Sequence, residues 1–274
     1  MDMVIQILLL VLGFALLVKG ADWFVDGAAG IATKFGIPQL VIGLTIVAMG
    51  TSAPEAAVSI TAAFARNAEI TIGNIVGSNV LNILIILGIT ALVYPVAVQK
   101  SSLIFDIPVV LFATAILFVL GYDGNISRLD GIIMLVVFVA YLFFLFGDAK
   151  RPKKLESAEV QQEEAENEET KNEEKNLSLP KALIFTVIGL VLIVAGSNFV
   201  VKSATFIATA LGLSQRFIGL TIVALGTSLP ELFTSVTAAM KKNSDIAVGN
   251  IVGSNIFNIL FIVGFSGLII PVPF

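Results

Sequence analysis

IGLTIVAMGTSAPE, Ile42–Glu55, and IGLTIVALGTSLPE, Ile218–Glu231, share twelve of fourteen residues at a constant offset of 176. The same offset lays GNIVGSNVLNILIILG (Gly73–Gly88) on GNIVGSNIFNILFIVG (Gly249–Gly264). It also pairs Gly13 with Gly189, Gly20 with Gly196, Gly36 with Gly212 and Pro95 with Pro271. No gap is needed, so the chain is an internal duplication. Each copy interrupts an apolar run with a glycine, two hydroxyls, a proline and a carboxylate, as GTSAPE and GTSLPE. Whether those interruptions are hinges or a site depends on what surrounds them.

The surroundings are a membrane. Of the 274 residues 57% are hydrophobic and only 13% charged, where a soluble domain carries about 25% charged residues. Mean hydropathy is +0.99. Apolar runs of 18 or more residues recur, each long enough to cross a hydrocarbon core of about 30 Å. No ten-residue alternation marks barrel strands, so the spans are helices that satisfy their own backbone groups. They are predicted at 3–31, 38–64, 70–93, 102–121, 129–147, 181–209, 216–240 and 246–270. The first lacks a basic n-region and an A-x-A-like cleavage site and reads as a span, not a signal peptide. The absence of cysteine and histidine removes disulfides, thiolate sites and the usual proton carrier near neutral pH.

Residues 148–180 differ from the rest: polar, highly charged and nearly free of aromatics. Such a segment cannot bury enough apolar surface to fold alone and reads as a flexible aqueous loop. Its lysines and Arg151, with Lys34, Lys100, Lys241 and Lys242, fall on one side of the membrane by span counting, which makes that side cytoplasmic and puts the N-terminus outside. The expected location is the cell membrane, with many passes. The duplication then divides the chain into a first repeat, 1–147, of five spans, the loop 148–180, and a second repeat, 181–274, of three spans. Five spans separate equivalent positions, so the copies enter the membrane from opposite sides. The predicted fold is all-α, an inverted-repeat transporter with 5 + 3 helices. The first copy continues for two spans beyond Pro95, and the second stops soon after Pro271, so the repeat's own logic leaves two helices missing.

The interruptions carry oxygen chemistry. Glu55 and Glu231 are the glutamates placed deep in a span, where a carboxylate is costly and points to function. Pro54 and Pro230 each remove a donor, which is expected to expose carbonyls near Ala48 and Ala224. Thr51, Ser52, Thr227 and Ser228 add hydroxyls. Ser78 and Asn82 share a helical face, as do Ser254 and Asn258. All-oxygen donors suit a hard cation such as Ca²⁺. A proline kink beside a hydroxyl often only bends a membrane helix, but an acid at the kink in both copies argues for a site. The spacing of Gly73 and Gly77 can serve close packing. Asn74 and Asn250 either bind backbone or bind ions. Asp22 and Asp26 read as interface charges, and Asp106 as a helix start.

The paired GTSAPE…GNIVGSN and GTSLPE…GNIVGSN resemble the two α-repeats of the cation/calcium exchanger superfamily, the prokaryotic sodium/calcium exchangers in particular. The resemblance covers nearly the whole chain outside the loop. It implies a ten-helix fold, Ca²⁺ extrusion driven by Na⁺ entry, and alternating access in which the first and sixth helices slide across a fixed core. It also implies a ligand set of Thr51, Ser52, Glu55, Ser78, Asn82, Thr227, Ser228, Glu231, Ser254 and Asn258, joined by the carbonyls of Ala48 and Ala224. Some members carry an aspartate where this chain has Asn258, which bears on ion stoichiometry and the coupling ion.

The expected function is Ca²⁺/Na⁺ antiport, with both ions as substrates, the lipid bilayer as surroundings, no cofactor and no nucleic-acid partner. Competing readings are a H⁺/Ca²⁺ exchanger whose glutamates carry protons, a passive cation channel and a non-transporting fragment. An enzyme is not expected, since no base, nucleophile and orienter set is present.

Overall fold

The computed structural model describes residues 3–149, 177–213, 222 and 224–274. Most of the acidic loop, the N-terminal Met1 and Asp2, and the first part of the span expected at 216–240 lie outside the described residues. The chain forms α1 (Met3–Phe35), α2 (Gln39–Thr51), α3 (Ala53–Phe64), α4 (Glu69–Val93), α5 (Ser102–Leu120) and α6 (Arg128–Ala149). After the loop come α7 (Leu179–Ala210), α8 (Ala224–Thr227), α9 (Leu229–Met240) and α10 (Ser244–Ile269). Among the described residues, six helices are long and apolar enough to cross a membrane, and the bent pair α2–α3 makes up to seven spans. The bounds follow the predicted spans to within a few residues, and α8 with α9 forms the described part of the span expected at 216–240.

The first and second copies end their opening helices alike. Gly36 and Gly212 have φ of +62° and +82°, the left-handed conformation that glycine adopts without steric cost. Each lets the following amide turn back: Ile37 donates to the Ala32 carbonyl at 3.0 Å and Leu213 to that of Ala208 at 3.0 Å.

α1 and α7 lie antiparallel along their lengths. A Cβ added at Gly13 would meet the Gly196 carbonyl at 2.9 Å, one at Gly20 the Gly189 carbonyl at 2.9 Å, and one at Gly27 the Ala182 carbonyl at 2.7 Å. Backbone therefore touches backbone every seven residues, a small-residue seam of the kind that lets membrane helices approach. Toward one end of the seam, Trp23 stacks on Phe185 with centroids 5.5 Å apart. There Lys241, just past α9, meets Asp22 at 2.7 Å and Asp26 at 2.5 Å. The two aspartates are interface charges, as expected.

The two halves are packed unequally. α5 and α6 cover α10 through Ile256, Leu260, Val263, Met134 and Phe138. The apolar window of α10 is 89% buried and that of its counterpart α4 only 28%, so α4 turns Ile83, Leu84 and Ile85 outward. A two-residue antiparallel ladder, β1 (Asn125–Ile126) with β2 (Val272–Pro273), ties the end of the second copy to the α5–α6 turn. Asp106 differs from its expected place. Helix begins at Lys100, and Asp106 closes a π-turn, Ser102–Asp106, inside it, buried against its surroundings.

Candidate functional site

Both chain breaks have the same geometry. α2 and α3 meet at Ser52 (φ −80°, ψ 7°) with a bend of 51°, and α8 and α9 meet at Ser228 (φ −88°, ψ 4°). Neither residue continues the helix, because the proline two positions on has no N–H to offer. The carbonyl that loses its usual donor is four residues before the proline, at Gly50 and Gly226, not at Ala48 and Ala224, and the Gly50 carbonyl accepts a cap amide instead. The Ala48 carbonyl stays engaged: it accepts from the Ser52 amide at 3.0 Å, the Thr51 hydroxyl at 3.3 Å and the Ser254 hydroxyl at 3.4 Å. The Gly226 carbonyl accepts from the Ser197 hydroxyl of α7 at 2.6 Å. Ala224 opens α8.

Each break starts the helix that carries an acid. Glu55 is 0% exposed and Glu231 1%. Their hydroxyl partners come mostly from the other half. Ser52 donates to Glu231 Oε1 at 2.8 Å, and Ser228 to Glu55 Oε1 at 3.3 Å. Ser78 reaches the same Glu55 oxygen at 3.4 Å. Among the described residues no Lys or Arg pairs with either glutamate.

The asparagines are oriented by a crossed pair of bonds between α4 and α10. Asn82 Nδ2 donates to Asn255 Oδ1 at 3.0 Å, and Asn258 Nδ2 donates to Asn79 Oδ1 at 3.0 Å. Asn79 Nδ2 in turn donates to the Asn255 carbonyl at 3.2 Å. Asn82 opens the π-turn Asn82–Ile86, and Asn258 lies in the π-turn Phe257–Val263. Such insertions recur at functional sites because they re-aim a side chain from its helical row. With their amide nitrogens engaged, Asn82 Oδ1 and Asn258 Oδ1 are left buried and without a donor, as are Glu55 Oε2 and Glu231 Oε2. Four acceptor oxygens, two from each half, thus lack a hydrogen-bond donor. Donors are the usual remedy for a buried acceptor. A cation is the other, and two buried carboxylates without a basic partner call for positive charge.

The structure brings together the expected residues Thr51, Ser52, Glu55, Ser78, Asn82, Thr227, Ser228, Glu231, Ser254 and Asn258. Asn74 and Asn250 brace the site. Their Nδ2 atoms donate to the carbonyls of Glu55 and Glu231, both at 3.3 Å, and to Ser59 and Ser235, both at 2.9 Å. Thr51 donates to Asn250 Oδ1 at 2.9 Å. Sequence reasoning missed Asn79, Asn255 and Ser197. The first two were within reach of it, since both stand in the repeated GSN at the same offset of 176.

The family described as "Sodium/calcium exchanger protein" matches residues 5–147 and 181–274. The Escherichia coli inner membrane protein YrbG is 38% identical over 269 residues, covering 98% of this chain and 81% of that protein. The sodium/calcium exchanger MaX1 of Methanosarcina acetivorans is 37% identical over 293 residues, covering 97% and 84%. Among solved structures, the sodium-calcium exchanger NCX_Mj soaked with 10 mM Na⁺ and no Ca²⁺ superposes with a TM-score of 0.83 at 34% identity, covering 99% of this chain and 85% of that one.

Proposed function

The chain belongs to the sodium/calcium exchanger protein family, and from that premise we propose that it exchanges Ca²⁺ for Na⁺ across the cell membrane by alternating access. The family makes it a multi-pass membrane cation/calcium antiporter and not an enzyme. The finer reading rests on one observation above all: the four buried acceptor oxygens without donors, Glu55 Oε2, Glu231 Oε2, Asn82 Oδ1 and Asn258 Oδ1. Two carboxylates neutralise one Ca²⁺, and a divalent ion of this kind takes 6–8 oxygens. The hydroxyls of Thr51, Ser52, Ser78, Thr227, Ser228 and Ser254 belong to the same break region and would supply the remainder. Neutral amide oxygens at 82 and 258 also suit small monovalent cations and have no use in carrying protons. This favours Na⁺ over H⁺ as the coupling ion. The lysines at 34, 100, 241 and 242 support a cytoplasmic position for their side of the protein.

The test is ⁴⁵Ca²⁺ uptake by the full chain in proteoliposomes. Na⁺ loaded inside, at equal pH, should drive uptake, and a pH gradient without Na⁺ should not. Uptake driven by the pH gradient alone would make the protein a proton exchanger. Uptake needing neither gradient would make it a channel.

A further inference from the structure

Hydroxyls on the helices of this protein commonly return a bond to the carbonyl one turn back. Thr33 does so to Ala29, Thr45 to Val41, Thr114 to Val110 and Thr186 to Ala182. Thr90 on α4 and Ser266 on α10 do not. Both are 0% exposed, and neither hydroxyl oxygen has a partner. They are related by the offset of 176, and each stands eight residues beyond a site asparagine, Asn82 or Asn258. A buried polar group without a partner is a standing cost in a membrane protein, and here the cost occurs at the same place in both copies.

The neighbours of these hydroxyls connect them to the acids. Leu87–Val93, the last part of α4, packs on α9, which carries Glu231; Gly264–Ile269, the last part of α10, packs on α3, which carries Glu55. Other buried hydroxyls without a partner are Thr71, Ser102 and Tyr141, and α9 carries Thr234, also 0% exposed and three residues from Glu231. Its counterpart in the other half is Val58. The crossed bonds Asn82–Asn255 and Asn258–Asn79 require α4 and α10 to run antiparallel past the site. Eight residues beyond the asparagine therefore leads toward opposite faces on the two helices. Ile86, buried on α4 between Asn82 and Thr90, separates the hydroxyl from the site.

We propose that Thr90 and Ser266 are portal ligands: hydroxyl oxygens that replace part of the water shell of a cation as it passes between the Glu55–Glu231 site and one or the other face of the protein. Thr234 strengthens the Thr90 portal, so the two portals differ. The identity of the ion, though not the existence of the portals, rests on the exchange reading above.

The chain has no cysteine, so Thr90→Cys and Ser266→Cys each introduce a single thiol. The full chain in vesicles of known orientation is treated from either face with a positively charged, membrane-impermeant methanethiosulfonate, and modification is read by mass. Each thiol should react from one face only, the two from opposite faces. Each should react about tenfold or more faster than Leu84→Cys, whose lipid-facing thiol stays protonated and inert. Rates no faster than Leu84→Cys, or reaction of both from the same face, would overturn the proposal. Transport supplies a second readout. Thr90→Val should slow ⁴⁵Ca²⁺ flux about fivefold, and Thr90→Ser should restore it, with equilibrium Ca²⁺ affinity within about twofold throughout. Unchanged flux in Thr90→Val would overturn the role of that hydroxyl. A wild-type chain that fails to exchange defeats the exchange reading alone, and the thiol rates then decide the portals.

Discussion

Asn255→Ala tests whether the amide clamp, and not the acids alone, shapes the proposed ion site. Asn255 is 2% exposed, and its Oδ1 is the acceptor for Asn82 Nδ2 at 3.0 Å. Its backbone carbonyl, which holds Asn79 at 3.2 Å, survives the substitution. The variant therefore loses one bond and leaves one buried N–H without a partner, a cost of about 1–3 kcal/mol. Asn82 can avoid that cost by turning its amide, which re-aims the unpartnered Oδ1. If the turn occurs, the loss falls on ion binding, and at about 1.4 kcal/mol per decade Ca²⁺ affinity drops by a factor of about 5–150. If it does not, the loss falls on the fold and lowers the melting temperature of the ion-free protein. Calorimetric Ca²⁺ titration and ion-free thermal unfolding separate the two. The mirror variant Asn79→Ala removes the acceptor of Asn258 and also the donor to the Asn255 carbonyl, so its loss should be at least as large. Ca²⁺ affinity within about twofold of wild type together with an unchanged melting temperature would refute the reasoning.

Three other outcomes are expected. Glu55→Gln and Glu231→Gln should each cost several kcal/mol of Ca²⁺ binding, since each removes half the charge from a buried pair; near-normal calorimetric affinity in either would sink the ligand assignment. Gly20→Val puts a Cβ 2.8 Å from the Ile193 amide nitrogen, so it should destabilise the α1–α7 pair by about 1–3 kcal/mol, seen as a lower melting temperature that Gly36→Val, judged on packing alone, would not share by this route. Lys241→Met strips a partner from Asp22 and Asp26, whose side chains are 36% and 41% exposed. The loss should stay under about 1 kcal/mol and shrink in high salt, and a large salt-independent loss would show the cluster to be desolvated.

Much of the fold was legible because the chain prints its plan twice. The break at Ser52 could be read from a proline and an acid inside an apolar run, and its recurrence at Ser228 turned a common kink into a candidate site. The acids, hydroxyls and asparagines at 82 and 258 were found in the same way. What could not be read was which atoms meet. The bonds that orient Asn82 and Asn258 join residues 173 and 179 apart, and no local spacing announces them. The proline expectation lay near Ala48 and Ala224, whereas the donor that Pro54 and Pro230 delete belongs to the carbonyls of Gly50 and Gly226, two residues on. Ser197, which serves Gly226, stands on a helix whose register against α8 is set by packing. Asp106 reads as a helix start although the span is predicted from 102, because nothing in its neighbours announces the π-turn Ser102–Asp106 that it closes.

The reciprocal bonds, Ser52 to Glu231 and Ser228 to Glu55, change what the duplication means for the protein. Copying a gene segment ordinarily leaves a spare that can drift or fail while the original works. Here each copy holds the other's acid in place, and Asn82 and Asn258 are each aimed by an asparagine of the other half. Damage to one half is damage to both, and two near-identical stretches confer no redundancy at all.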